Sequence, residues 1–187
     1  MWRRRWALLT AFFVSLAGAQ PSPERLALCA ACHGSGGNSV TAGVPSLAGQ
    51  PPVYVENQLV LFREGVRQAA QMDTAVKGLS DREIRELAKF FAQSKPASPQ
   101  GKADPVLVKQ ARTLARKLRC GSCHGPDFHG RAQMPRLAGQ REEYLLEAMN
   151  AYRQNRRSGG DTIMTAALYG LPDADIKALA HFLARLR

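Results

Sequence analysis

The sequence predicts an all-α protein built as two small tandem domains joined by a short linker. Three observations carry this expectation. Apolar residues recur at three- and four-residue spacing, as on the buried face of a helix. No stretch alternates convincingly between apolar and polar residues, as a half-buried strand would. Most of the chain is also one unit written twice.

The 187 residues include 26 Lys and Arg against 15 Asp and Glu, a net charge of +11. A hydrophobic share of 45% is ordinary for a globular protein and excludes a disordered chain or a polytopic membrane protein. Four cysteines are too few for a disulfide-dense scaffold.

Residues 1–19, MWRRRWALLTAFFVSLAGA, read as a cleaved signal peptide. Arg3, Arg4 and Arg5 form a basic start, Trp6 to Ala19 is uncharged and mostly apolar, and Ala17-Gly18-Ala19 is a small-x-small cleavage pattern. A retained anchor is the alternative reading. A spanning helix needs about 20 apolar residues, and here Gln20-Pro21-Ser22-Pro23 interrupts first. Cleavage predicts export to an oxidising compartment, where paired cysteines must be disulfides, metal ligands or cofactor attachments.

The duplication covers the rest of the chain. Cys29-Ala30-Ala31-Cys32-His33-Gly34 recurs as Cys120-Gly121-Ser122-Cys123-His124-Gly125. Pro45-Ser46-Leu47-Ala48-Gly49-Gln50 recurs as Pro135-Arg136-Leu137-Ala138-Gly139-Gln140. Tyr54 matches Tyr144, Arg63 matches Arg153, Met72 matches Met164, and Gly78-Leu79 matches Gly170-Leu171. The linker carries two prolines and a glycine and no apolar run. The expected domains are 20–95 and 103–187, with 96–102 between them.

Each copy shows one helical plan. Pro23, capped by Ser22, opens a short helix that ends at the first Cys motif. Asp104-Pro105 opens a longer one with Leu107, Ala111, Leu114 and Leu118 on one face. Middle helices are expected over 53–66 and 143–154. The last helix of the first copy begins at Ser80, with Glu83 completing a capping box. Its stripe is Ile84, Leu87, Ala88 and Phe91, and the twin stripe is Ile176, Leu179, Ala180 and Leu183. A domain of about 80 residues buries a limited core and often needs a staple.

The Cys motifs supply it. In C-x-x-C-H, two cysteines three apart on a helical turn face the same way. Their sulfurs can add to two vinyl groups of a haem, and the adjacent His then reaches the iron. A redox dithiol would leave both histidines unexplained, and a zinc site would need the Cys pairs brought together across the linker. Met72 and Met164 are the candidate second axial ligands, because they occupy equivalent positions and a thioether suits haem iron. Both are placed in loops before the last helix. Met134 and Met149 compete in the second copy but align with Val44 and Leu59. His129 and His181 align with Asn38 and Lys89, and are read as surface or loop histidines. Pro45 and Pro135 follow each Cys motif at similar distance. Either could offer its carbonyl to the ligating His, or simply punctuate the loop.

CxxCHG, PxLAGQ, a Tyr, a Met and GL-x-D-x-x-I together resemble a bacterial class I cytochrome c, and the duplication resembles the two-haem cytochrome c4 family. The resemblance spans essentially the whole chain after residue 19. It implies two His/Met haem domains, two covalently bound haem c groups, periplasmic location and electron transfer with respiratory partners. It also supports the Pro45 and Pro135 carbonyls as His partners. The implied sites are Cys29, Cys32, His33 and Met72, then Cys120, Cys123, His124 and Met164. Pro172 departs from the pattern where the first copy has Ser80, and Ser35-Gly36-Gly37-Asn38-Ser39 differs from Pro126-Asp127-Phe128-His129-Gly130.

Iron with both axial positions filled exchanges electrons and offers no vacancy for substrate, so an electron carrier is expected rather than an enzyme. The alternative is an electron-accepting subunit of a larger periplasmic oxidoreductase. Residues 20–95 carry a net +1 and residues 96–187 a net +7. Lys109, Arg112, Arg116 and Arg119 recur at helical spacing, a solvated face or a docking stripe for an acidic redox partner such as a terminal oxidase, reductase or dehydrogenase. The charge is also compatible with a membrane surface. Neither a nucleic-acid motif nor room for a small-molecule substrate pocket is evident.

Overall fold

The structure is a computed structural model that describes residues 20–99, 101–159 and 162–187. Residues 1–19, read from the sequence as a signal peptide, lie outside the described residues. Among these residues the secondary structure is helical, with a single β-bridge between Arg131 and Met134.

The first half contains α1 (Pro23–His33), α2 (Pro52–Arg63), α3 (Ala70–Val76) and α4 (Asp81–Gln93). The second contains α5 (Pro105–Lys117), α6 (Gly121–His124), α7 (Glu142–Arg153), α8 (Thr162–Leu168) and α9 (Asp173–Ala184). Two separate cores follow from the two apolar patterns. Val55, Phe62, Val76, Leu79, Ile84, Leu87, Ala88 and Phe91 form one. Ala111, Ala115, Leu145, Met149, Leu168, Ile176, Leu179 and Phe182 belong to the other.

The starts of the helices are chemically specified. Ser22 Oγ accepts from the Arg25 N–H at 3.2 Å, and Asp104 Oδ1 accepts from the Val106 N–H at 2.8 Å. At α4 the capping box closes both ways: Ser80 N–H donates to Glu83 Oε2 at 2.9 Å, and Glu83 N–H to Ser80 Oγ at 3.3 Å. Pro172 at the head of α9 makes no side-chain cap.

Three sequence expectations need correction. Met72 and Met164 lie in short helices, α3 and α8, rather than in loops. Residues 64–66 do not continue the middle helix, which ends at Arg63. His181 is no surface histidine: it sits in α9 at 9% exposure. Its Nε2 accepts from the Asp104 N–H at 2.9 Å, and its Nδ1 faces Glu142 Oε1 at 3.3 Å. Glu142 also receives Arg185 at 2.5 Å, and Arg185 Nε donates to the Lys102 carbonyl at 2.8 Å. The start of the second domain is thereby tied to its last helix.

The two Cys motifs are presented differently. α1 runs unbroken through Cys29 and Cys32 to His33. In the second half the chain breaks after α5, at Arg119 with φ 57°, and restarts as α6.

Candidate functional site

Each histidine of the Cys motifs is buried, His33 at 7% and His124 at 4% exposure. Each ring is oriented from behind by a proline carbonyl. His33 Nδ1 donates to the Pro45 oxygen at 2.8 Å, and His124 Nδ1 donates to the Pro135 oxygen at 3.0 Å. Of the two roles open to those prolines, the carbonyl acceptor is therefore the one realised. With Nδ1 carrying the proton, Nε2 keeps its lone pair and is the nitrogen free to ligate. His124 Nε2 is buried and has no hydrogen-bond partner. An orphan imidazole nitrogen is costly unless a ligand meets it.

Cys29 and Cys120 are half-buried and Cys32 and Cys123 exposed, and no disulfide joins them. Burial pushes the Cys29 and Cys120 thiols up. Among the described residues no three His, Cys, Asp or Glu side chains gather as they would around a zinc ion. Two sulfurs and a histidine ring fixed through Nδ1 in each motif, with the His124 Nε2 buried and unpaired, fit covalent haem.

The methionines are placed consistently with this. Met72 and Cys29 pack against the same first core, and Met164 and Cys120 against the same second core. Both methionines are half-buried. Met149 is instead core filler at 8% exposure, and the Met134 backbone is paired with Arg131. His129 is exposed and bonds the Arg187 carbonyl at 2.8 Å. Its counterpart Asn38 does the same work in the first half, holding Lys95 O at 3.1 Å and Ala97 N at 2.7 Å. Both tie down the chain leaving the last helix.

Sequence reasoning missed one cluster, at the junction of the halves. Arg67 lies 4.4 Å over the Phe62 ring, and Arg157 lies 4.9 Å over the Tyr152 ring. Both guanidinium groups reach the Tyr144 hydroxyl, at 3.5 and 3.2 Å. Burial pushes the Tyr144 phenol up, but Arg157 and Arg67 outweigh it and hold it down at about 8. The signal was present, since Tyr54/Tyr144 and Arg67/Arg157 share one repeat offset.

The comparisons agree with the chemistry. Residues 108–187 match the family described as "Cytochrome c", and residues 25–91 that described as "Cytochrome C oxidase, cbb3-type, subunit III". Cytochrome c4 of Pseudomonas aeruginosa is 32% identical, over 95% of this chain and 93% of its own. The thiosulfate dehydrogenase electron acceptor of Thiomonas intermedia is 32% identical, over 92% and 85%. The crystal structure of reduced cytochrome c4 from Pseudomonas stutzeri superposes with a TM-score of 0.81, at 32% identity, covering 90% of this chain and all of that one. With its two C-x-x-C-H motifs for two covalent haem c groups, the chain belongs to the cytochrome c4 family of di-haem electron-transfer cytochromes.

Proposed function

We propose that His33 with Met72, and His124 with Met164, are the axial pairs of the two haems, with Cys29, Cys32, Cys120 and Cys123 as the thioether anchors. The observation that carries this reading is the pair of imidazoles fixed through Nδ1 by Pro45 and Pro135, with the His124 Nε2 left buried and unpaired. The bound haem supplies a one-electron couple. The chain's part is to hold both axial ligands so that oxidation and reduction need little rearrangement. Arg67 and Arg157, stacked on aromatic rings and paired with no carboxylate among the described residues, offer two cations for the carboxylates of the haems.

The domains of this reading are 20–95 and 103–187, exported to the periplasm after loss of residues 1–19. The protein acts as an electron carrier between redox proteins rather than as an enzyme. Lys109, Arg112, Arg116 and Arg119 are all exposed. Arg112, Arg116 and Arg119 line a depression of about 540 Å³ with Phe128, Phe182 and Leu186. That combination of cations around an apolar floor suits an acidic partner. A second reading, an electron-accepting subunit of a periplasmic oxidoreductase, draws support from the Thiomonas intermedia relative. Stable co-purification with a catalytic chain would favour it.

Substitution at the methionines tests the ligation. Met72→Ala and Met164→Ala should each alter the spectrum of one haem, with both haems still attached. Unchanged spectra in both variants would overturn the axial assignment.

A further inference from the structure

The two halves are joined by a pair of reciprocal side-chain clasps. Gln140 Oε1 accepts from the Ser46 N–H at 2.7 Å, and Gln140 Nε2 donates to the Ser46 carbonyl at 2.8 Å. Across the junction, Gln50 Oε1 accepts from the Arg136 N–H at 3.0 Å, and Gln50 Nε2 donates to the Arg136 carbonyl at 2.9 Å. Gln50 and Gln140 are repeat equivalents, as are Ser46 and Arg136. Both glutamines are buried, at 4% and 5% exposure. The amide orientation is dictated by chemistry, because a backbone N–H can only meet the oxygen.

The clasp lands on a particular peptide. The Ser46 N–H and the Pro45 carbonyl belong to one amide, and that carbonyl holds the His33 Nδ1–H. The Arg136 N–H and the Pro135 carbonyl likewise share the amide that holds His124. An unbroken chain therefore runs from His33 through one peptide to Gln140 in the other half, and from His124 through one peptide to Gln50. Donation by an amide N–H polarises the amide and makes its carbonyl a better acceptor. A better acceptor at Nδ1 makes the imidazole a stronger donor at Nε2, which favours the oxidised iron.

We infer that Gln50 and Gln140 are crossed positioning residues, each setting through one peptide group the hydrogen bond that holds the axial histidine of the opposite domain. The inference rests on His33 and His124 being those ligands. It makes the redox balance of each haem depend on the other half being docked. An interface that served only as glue would leave the two redox couples unmoved when a glutamine is replaced.

The test uses the full haem-loaded protein with Gln140→Leu and Gln50→Leu, each of similar volume without the amide. NMR resonances assigned to each haem, followed through a redox titration, resolve the two couples. Gln140→Leu should shift the His33 haem toward its reduced form, and Gln50→Leu the His124 haem. The shift should reach at most about tenfold in the oxidised-to-reduced ratio, the low end for loss of an outer partner of a metal ligand. The Nδ1 proton resonance of the same histidine should move with it. Equal shifts of both haems in both variants, shifts confined to the variant's own domain, or none at all would overturn the relay. Loss of the low-spin spectrum would overturn it too, since the clasp tunes a bond that it does not make. Haem content and the ligation spectrum of unsubstituted protein, measured alongside, report on the ligand assignment independently.

Discussion

Gly34 and Gly125 follow the two histidines with φ 76°, ψ 167° and φ 83°, ψ 156°, a region essentially reserved for glycine. A Cβ at Gly34 would also collide with the Asn38 carbonyl, whereas nothing lies within 4 Å of one at Gly125. Gly125→Ala should therefore cost about 1–3 kcal/mol, and Gly34→Ala measurably more, by denaturant unfolding of the loaded protein. Equal losses would contradict this account of the two turns. A third turn position shows what the sequence hid. The Gly37 carbonyl accepts from the Leu47 and Ala48 N–H groups, and the Phe128 carbonyl accepts from Leu137 and Ala138 in the same way. Phe128 does so at φ 58°, with its ring edge-on to Phe182 at 5.9 Å. In sequence these loops read as a departure between the copies. The backbone role survives because ring packing compensates for a conformation that glycine adopts freely.

At the scale of elements, what was legible was whatever leaves a long period or a cap. The α4 stripe and its capping box were both readable, and Ser80→Ala should destabilise the protein by about 1 kcal/mol. Denaturant unfolding checks it, and no loss would show that the box is idle. α3 and α8 were not readable. Each spans seven residues, too short for an apolar face to declare itself, and their order comes from burying Val76 and Leu168 in the two cores. α9 was legible as a helix but not as one buried nearly all round, from Ile176 through Ala184. Small residues at Ala111 and Ala115 let α5 approach it closely, and His181 is satisfied by backbone and Glu142. A periodic pattern shows one buried face and is silent about a second. The middle helices and last helices are also braced alike. Arg63 holds the Leu79 carbonyl at 3.0 Å and Asp81 at 2.7 Å, while Arg153 holds Leu171 and Asp173, each at 2.6 Å. Arg63 and Arg153 were recognised as equivalents, but nothing in sequence told what they brace.

At the scale of the whole molecule, duplication gives two similar sites, and the crossed glutamines and the arginine–tyrosine cluster join them into one electron-transfer unit. The Cys and His members of each site were legible because covalent attachment demands a fixed local spacing. The junction was not, because its contacts link residues 77 to 94 positions apart. The excess positive charge lies on the second half, where Arg112, Arg116 and Arg119 line one depression. If that face docks an acidic partner, the association rate should fall steeply as ionic strength rises, read by stopped-flow electron transfer; a flat salt dependence would remove the docking proposal. The central claim is a pair of haems sewn to four sulfurs. It is tested most directly by making the protein in cells that mature c-type cytochromes, denaturing it and counting the haem that stays with the polypeptide. Two haems per chain are predicted to survive denaturation, and a chain that comes away free of porphyrin would contradict the account.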